Sequence, residues 1–426
     1  MERFELLVKS ARLPDGRTVD LAVKDGKIAR LAPSVEGEAE YVVNADGKLL
    51  FPSFVNAHTH LSMTLFRGIG ADLPLMDWLQ KVIWPLEQRF VSPEFVYDGA
   101  LLGILELIKS GCTLFLDMYF FEESVARACE ETGVRGALGV GILDFPTKVA
   151  SSADEYLEKV RRFASKFKNS PYVMPVVAPH APYTCSPETL RRTRELADEL
   201  GLYLHIHLSE TENEVKQILS KYGKRPVELL DEIGFLDERV IAAHVVWTDE
   251  REREILRERK VSVAHCPESN LKLGSGVAPV PDYLKRGINV CLGTDGAASN
   301  DNLNLLEEAS TCAKLHKGYL KDPTALTAPQ VLKMATENGF KALGLKAGRI
   351  EEGYEADFIL INPDVPEMQP LYDPVAQLIY SATSEAVDTV VCKGKVLMEK
   401  REVKVLDEEE VFKKARAWRE KILRAL

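Results

Sequence analysis

The sequence lacks long apolar runs, blocks of basic residues and closely paired cysteines. No segment reaches the roughly 18 consecutive apolar residues of a membrane-spanning helix, and its first ten residues, MERFELLVKS, lack the apolar stretch of a secretory signal. With a formal charge of -11 and no run of lysine or arginine, the chain offers no positive surface to nucleic-acid phosphates. We therefore expect a cytoplasmic protein that binds neither nucleic acid nor a membrane.

The seven cysteines are an odd number without short paired spacings. A chain of 426 residues, of which 46% are hydrophobic, can bury a large core without the help of disulfides. We expect reduced, mostly buried thiols, and one large domain accompanied by a smaller one.

The two terminal segments share a pattern of short β-type runs separated by turn signals. In the first fifty residues these runs indicate a small antiparallel module. The pattern returns in residues 346–405, while acidic residues followed by apolar spacing in 406–426 predict a terminal helix. We expect residues 1–54 and 346–405 to form one β-sandwich, into which a domain over residues 55–345 is inserted.

Between these segments, apolar runs alternate with amphipathic stretches, as in folds where strands alternate with helices. Eight parallel strands with intervening helices predict an α/β fold of the (β/α)8 barrel type, whose active site lies at the carboxyl ends of the strands. Seven of the eight histidines lie in such apolar segments, which indicates that imidazoles are directed to one place. The predicted strands span residues 49–57, 112–118, 135–143, 173–179, 203–209, 240–247, 261–266 and 288–294.

Histidines and an aspartate at strand ends predict a metal site. His58 and His60 are two residues apart, so both side chains point to one face of the first strand. On the fifth strand we expect His207 to be the ligand and His205 to be a second-layer or packing residue, because only the strand tip reaches the open face. Asp295 offers an anionic oxygen at the tip of strand eight. Three imidazoles and one carboxylate suit Zn²⁺ or Fe²⁺ and leave room for water.

Five motifs stand at these strand ends and in the tail: Asn56-Ala57-His58-Thr59-His60, His205-Ile206-His207 followed by Glu210, Ala243-His244, Gly293-Thr294-Asp295-Gly296 and Gly348 to Asp357. Together they resemble the amidohydrolase superfamily, in its branch of deaminases for 5'-methylthioadenosine and S-adenosylhomocysteine. The resemblance implies a barrel flanked by a β-sandwich from both termini, a small-molecule nucleoside substrate, and dimers or tetramers as in many relatives. Binuclear relatives carry a bridging carboxylated lysine on the fourth strand, which here ends in Pro179-His180. One divalent ion is therefore implied, Zn²⁺ or Fe²⁺.

The same resemblance implies roles for three polar side chains in the reaction. Glu210 protonates N1 of adenine while activated water attacks C6, and Asp295 passes the proton to the departing ammonia. His244 orients or deprotonates the attacking water. His265 is a candidate hydrogen-bond partner behind the ligands, and His316, on a predicted helix, is expected to face solvent.

Trp78, Glu87 and His180 match positions that contact the nucleoside in this family. Trp78 would supply an aromatic surface, Glu87 a carboxylate for the ribose hydroxyls, and His180 a side chain near purine and ribose. Relatives that handle S-adenosylhomocysteine well carry arginines after the third strand, whereas this sequence has Val140 there and offers only Lys148 as a positive charge. We expect methylthioadenosine, adenosine or 5'-deoxyadenosine to be preferred over the homocysteine adduct.

Two other interpretations stay open on sequence alone. The same scaffold and metal could serve another ring, as in guanine deaminases and triazine chlorohydrolases. A catalytically silent assembly scaffold would be expected to have lost ligands, whereas this sequence retains His58, His60, His207 and Asp295.

Overall fold

A computed structural model describes residues 2–426, whose strands form two sheets. The first five strands are β1 (Arg3–Arg12), β2 (Thr18–Lys24), β3 (Lys27–Ala32), β4 (Glu38–Asn44) and β5 (Leu49–Pro52). Eight strands form the central sheet: β6 (Phe54–Thr59), β7 (Cys112–Tyr119), β8 (Arg135–Ile142), β9 (Val173–Pro179), β10 (Tyr203–Leu208), β11 (Val240–His244), β12 (Ser262–His265) and β13 (Val290–Leu292). The last four strands are β14 (Phe358–Ile361), β15 (Val387–Cys392), β16 (Lys395–Glu399) and β17 (Glu402–Val403).

The central sheet is a barrel of parallel strands that neighbour one another in chain order from β6 to β13. It closes where the segment after β13 meets β6, because the backbone nitrogen of Asp295 donates to the carbonyl of His58 at 2.9 Å. This approach is so close that a Cβ on Gly293 would lie 2.6 Å from the backbone nitrogen of His58. The predicted α/β barrel is thus confirmed, and all carboxyl strand ends meet at one face.

The second sheet joins the two termini, as predicted. Strand β5 lies between β1 and β14, and the order is β17-β16-β15-β14-β5-β1-β2-β3, with β4 also beside β1. The amino-terminal module is not wholly antiparallel, since β1 pairs with β2 antiparallel but with β4 parallel. After β3, which pairs with β2, the chain crosses the sheet, and β4 pairs with the edge of β1 that faces away from β2.

The prediction of one strand over residues 49–57 is wrong. Residues 49–52 are β5 of the second sheet, and the barrel strand β6 begins at Phe54. The break falls at Ser53, whose backbone nitrogen donates to the carbonyl of Asp357 at 3.3 Å and whose hydroxyl lies 2.7 Å from that of Thr113. One apolar run therefore serves two sheets.

Helices cover the outside of the barrel. The regular helices are α1 (Leu75–Asp77), α2 (Trp84–Phe90), α3 (Pro93–Lys109), α4 (Glu122–Thr132), α5 (Ala153–Phe167), α6 (Pro187–Leu200), α7 (Glu212–Tyr222), α8 (Pro226–Glu232), α9 (Glu250–Glu258), α10 (Pro267–Lys272), α11 (Val280–Lys285), α12 (Leu305–Leu320), α13 (Ala328–Ala335), α14 (Glu337–Ala342), α15 (Pro374–Tyr380) and α16 (Glu408–Leu423). A π-helix, Trp78–Ile83, joins α1 to α2, and a 3-10 helix spans Leu61–Phe66. Local signals set the ends, as in α6, where the Ser186 hydroxyl accepts from the backbone nitrogen of Thr189 and Gly201 is left-handed.

Small and branched side chains fill the barrel interior, while larger ones pack between the strands and the surrounding helices. The seven cysteines are buried and free, as expected for reduced thiols. Among residues 2–426, no helix combines the length and the apolar character that crossing a membrane requires.

Candidate active site

A cavity of about 500 Å³ opens at the carboxyl ends of the barrel strands. Its wall contains most of the residues that the sequence predicts for the site, and His58 lies buried at the end of β6. The predicted site residues that line the cavity are His60, Trp78, Glu87, His180, His207, Glu210, His244 and Asp295. The fold therefore brings together side chains that are up to 237 positions apart in the chain, as the span from His58 to Asp295 shows.

Left-handed backbone occurs where three of these strands end. Ser209, His244 and Asp295 have positive φ angles of 51°, 76° and 61°. Residues other than glycine adopt this left-handed region at a cost of about 1–3 kcal/mol each, and such residues cluster at functional sites. The turn at His244 ends β11 earlier than the predicted strand over residues 240–247 and directs the imidazole into the cavity.

The four predicted metal ligands lie together. Asp295 Oδ1 is 3.2 Å from His58 Nε2 and 3.3 Å from His60 Nε2, and His60 Nε2 is 3.4 Å from His207 Nε2. Ligand atoms bound at about 2.0–2.1 Å to a tetrahedral ion are separated by about 3.3–3.5 Å. His58 Nε2 is also buried without a hydrogen-bond partner among the described residues. This donor set therefore fits a divalent metal ion.

The Nδ1 atoms of two predicted ligands, His60 and His207, face backbone carbonyls. His60 Nδ1 lies 2.5 Å from the carbonyl oxygen of Met118, and His207 Nδ1 lies 2.6 Å from that of His180. Because a carbonyl only accepts, each Nδ1 donates and each Nε2 keeps a free lone pair. Both rings are thus held in the tautomer that binds a metal.

His205 fixes the tautomer of His58 in the same way. Its Nδ1 lies 2.9 Å from the carbonyl of Ile241 and must donate, so its Nε2 accepts. That Nε2 is 2.8 Å from His58 Nδ1, which therefore donates. His58 Nε2 then carries no proton and keeps its lone pair. The position of His205 agrees with its expected place in a second layer.

Glu210 and His244 lie beside this group. His244 Nε2 is 3.7 Å from Glu210 Oε1 and 3.8 Å from Asp295 Oδ2. Burial, and then the charge of Asp295, raise the pKa of Glu210 above its ordinary value. Glu210 can therefore hold a proton near neutral pH, and its backbone nitrogen is fixed by donation to Glu214 Oε2 at 3.1 Å.

The three predicted substrate contacts also line the cavity. Trp78 begins the π-helix, and Glu87 on α2 accepts a hydrogen bond of 3.0 Å from the hydroxyl of Tyr119. Burial raises the pKa of Glu87 to about 7. His180 follows β9 and lies 2.8 Å from the Thr184 hydroxyl through Nδ1, and burial lowers its pKa to about 3.

Two histidines lie elsewhere. His265 Nε2 is 2.9 Å from His316 Nε2, in the layer between β12 and α12. The expectation that His316 faces solvent is wrong, since it is 1% exposed. Helix α12 packs against both the barrel and its neighbouring helices, so the face that carries His316 is covered.

Sequence analysis missed several residues that fix the site. Ser269 donates through its hydroxyl to Asp295 Oδ2 at 2.8 Å, Tyr119 holds Glu87, and Glu214 holds the backbone of Glu210. A position at or just after a barrel strand end is the signal that could have found the first two. Lys148 also lines the cavity, where its ammonium donates to the carbonyl of Val91 at 3.0 Å.

Comparisons with known proteins agree with this geometry. The sequence model described as the amidohydrolase family matches residues 49–397. A protein of Aquifex aeolicus named 5-methylthioadenosine/S-adenosylhomocysteine deaminase is 66% identical, with 100% of this chain and 99% of the relative covered. A 5'-deoxyadenosine deaminase of Methanothermobacter thermautotrophicus is 45% identical over 98% of each chain. The crystal structure of an adenosine deaminase from Xanthomonas campestris with bound zinc superimposes with a TM-score of 0.96, at 38% identity and with 100% of both chains covered.

Proposed function

Because this chain belongs to the amidohydrolase family, we propose that it is a metal-dependent deaminase of adenosine-type nucleosides. It would hydrolyse the adenine ring of 5'-methylthioadenosine, S-adenosylhomocysteine or a related adenosine to the inosine analogue and ammonia. The observation that carries this proposal is the convergence of three imidazole Nε2 atoms, two carboxylates and a mostly apolar cavity at one end of the barrel.

His58, His60, His207 and Asp295 would hold the metal ion. The neutral imidazoles and the single carboxylate suit Zn²⁺, which is also bound in the related adenosine deaminase structure, although Fe²⁺ accepts the same ligands. When bound, the ion supplies the Lewis acidity that makes water a nucleophile near neutral pH. The fourth strand ends in Pro179-His180 without a lysine, which supports one ion over two.

Glu210, His244 and Asp295 would move the protons. Glu210, with its raised pKa, delivers a proton to N1 of adenine as water adds to C6. Asp295 accepts the proton that the water loses and passes it to the amino group, which leaves as ammonia when the C6–N bond breaks. The remaining hydroxyl proton returns to Glu210 as the C6 carbonyl forms. His244, between the two carboxylates, faces the attacking oxygen.

Trp78, Glu87 and His180 would bind the nucleoside. The indole of Trp78 offers a flat surface, and the carboxylate of Glu87 has one oxygen held by Tyr119, which leaves its remaining acceptor capacity for ribose hydroxyls. His180, neutral because of its low pKa, lies beside the ligand His207 with ring centroids 4.8 Å apart. It would therefore lie near the reacting end of the adenine ring.

The cavity would favour nucleosides whose 5'-substituent is uncharged. Lys148 is the cationic side chain of the cavity wall, and its ammonium is already bonded to the carbonyl of Val91. Val140 lies within the third barrel strand, β8, where it is buried outside the cavity lining and offers no cation to a substrate. Methylthioadenosine, adenosine or 5'-deoxyadenosine is therefore the expected preference.

The test is ammonia release by enzyme of measured metal content, with methylthioadenosine, S-adenosylhomocysteine, adenosine, guanine and a chlorotriazine assayed side by side. Turnover of the nucleosides alone, with the absorbance change from adenine to hypoxanthine, would support the proposal and rank the 5'-groups. Turnover of guanine or the triazine alone would leave the metal site in place and overturn the roles of Trp78, Glu87 and His180. Metal-free protein from a purification without chelator would favour a non-catalytic scaffold.

A further inference from the structure

The Nδ1 atoms of four imidazoles, those of His58, His60, His207 and His244, do not all face the same kind of hydrogen-bond partner. His58, His60 and His207 each direct Nδ1 at an acceptor, as described above. His244 Nδ1 instead lies 3.0 Å from the side-chain nitrogen of Asn270. In this orientation of the amide, which leaves Asn270 Oδ1 buried without a hydrogen-bond partner among the described residues, the nitrogen donates, so His244 Nδ1 accepts and the proton of the neutral ring resides on Nε2.

Asn270 is held where this contact is made. It belongs to α10, which directly follows β12, and its backbone nitrogen donates to the carbonyl of Cys266 at 3.0 Å. Both Asn270 and His244 are buried, with 1% and 0% exposure. The preceding residue, Ser269, donates to Asp295 Oδ2, so adjacent residues of one short helix reach two of the reacting groups.

His244 Nε2 is arranged as a hydrogen-bond donor with room beside it for an oxygen acceptor. Nε2 is buried without a hydrogen-bond partner among the described residues. Its distances of 3.7 Å to Glu210 Oε1 and 3.8 Å to Asp295 Oδ2 are too long for direct hydrogen bonds. An oxygen atom located between these groups could accept from Nε2.

We propose that Asn270 is a positioning residue that keeps His244 in the tautomer with the proton on Nε2. His244 then donates a hydrogen bond to the attacking oxygen instead of taking its proton, and the proton goes to Asp295. The same tautomer excludes His244 from the metal ligands, although one ring nitrogen from each of His58, His207 and His244 lies within 4.8 Å of the other two. This inference rests on the proposed function for its catalytic consequence, whereas the tautomer itself does not depend on any substrate.

The direct test is the tautomer of His244 in the zinc-loaded protein without substrate. Long-range ¹⁵N–¹H correlation spectra of the histidine-labelled protein distinguish the two neutral tautomers, and the signal that disappears in His244→Gln assigns the residue. We expect a proton on Nε2 in the wild type and a change of tautomer in Asn270→Asp, whose carboxylate only accepts. A wild-type His244 with its proton on Nδ1 would mean the reverse amide orientation and would overturn the inference.

The kinetic test compares Asn270→Asp and Asn270→Leu with Leu271→Ala, a control on an exposed neighbour in the same helix. We expect both Asn270 variants to lose kcat by about 100-fold or more, the scale for removal of one oriented donor, with KM within about threefold and metal content unchanged. A kcat within about threefold of wild type in Asn270→Asp would overturn the inference. If Asn270→Asp does not fold, Asn270→Leu and the wild-type spectra still decide the matter. Failure of the wild type to deaminate any nucleoside would reject the proposed function without altering the tautomer result.

Discussion

Replacing Glu87 by glutamine would separate recognition of the ribose from chemistry at the purine. Glu87 accepts from the Tyr119 hydroxyl through Oε1, and glutamine can keep that bond with its carbonyl oxygen. The other carboxylate oxygen becomes an NH₂ group, which cannot accept a hydrogen bond from a ribose hydroxyl. The variant thus preserves the shape of the cavity wall and removes one acceptor and one negative charge.

The size of the effect follows from the kind of hydrogen bond that is lost. A hydrogen bond to a charged group contributes about 1.5–3 kcal/mol, which corresponds to a loss of about 10- to 150-fold in kcat/KM for methylthioadenosine or adenosine. A 2',3'-dideoxyadenosine lacks the hydroxyls that Glu87 would bind. We therefore expect its kcat/KM to be low in the wild type and to change by less than about threefold in Glu87→Gln.

The pKa of Glu87 adds a pH signature. Because burial raises this pKa to about 7, the carboxylate that accepts ribose hydroxyls is the main form only above that pH. For the wild type we expect KM for ribonucleosides to rise as the pH falls below about 7. Glutamine does not titrate, so Glu87→Gln should show no such rise.

The assay is the change in absorbance on conversion of adenine to hypoxanthine, with both substrates and over a range of pH. Glu94→Gln is a matched control, because it makes the same change at an exposed position of α3 outside the cavity lining. An equal loss in Glu87→Gln for the ribonucleoside and the dideoxynucleoside would refute the assignment of Glu87 to the ribose. A wild-type KM that is constant between pH 6 and 8 would refute its titration near 7.

Four further predictions concern the metal, the acid and the 5'-group. Chelation should abolish turnover and Zn²⁺ should restore it, and full activity at less than a tenth of an equivalent of metal would contradict this. His205→Phe should weaken metal affinity by about 10- to 100-fold in competition with a chromophoric chelator, because His58 loses its Nδ1 acceptor; unchanged affinity would deny His205 that role. Glu210→Gln should lower kcat by about 10²–10⁴-fold with full metal content, and a smaller loss would exclude Glu210 as the acid. The wild type should have a higher kcat/KM for methylthioadenosine than for S-adenosylhomocysteine, and Lys148→Met should leave the former unchanged.

The parts of this molecule that could be predicted depend on short-range patterns. A polar residue at the end of a buried strand must reach the carboxyl face of a barrel, whatever the other strands contain. For this reason the placement of His58, His60, His207 and Asp295 follows from local spacing together with the fold class. The apolar run of residues 49–57 predicts one strand, but its two halves belong to different sheets. The break lies at Ser53, which contacts Thr113 and Asp357.

The supporting residues could not be found in this way, because their roles depend on long-range contacts. His205 acts on His58, which is 147 positions away, and Tyr119 holds Glu87 across 32 positions. His316 sits on a helix whose pattern suggested an exposed face, but α12 is covered on that side by the barrel. No spacing rule within one segment states which ring nitrogen will meet a carbonyl and which will meet an amide.

The proposed metal ligands and two of the proposed substrate contacts, Trp78 and Glu87, reside on different kinds of structure, and this separates the reaction from its specificity. The proposed ligands lie at or just after strand ends of the barrel, where strand pairing and the hydrogen bond from the Asp295 backbone nitrogen to the His58 carbonyl hold the backbone. Trp78 and Glu87 lie instead in the segment between β6 and α3, which contains a 3-10 helix, two short helices and a π-helix. A π-helix is rare and usually occurs at functional sites. Substitutions in this segment should therefore change which nucleoside is accepted while the metal content stays the same, whereas substitutions of the proposed ligands at the strand ends should remove both the metal and the activity.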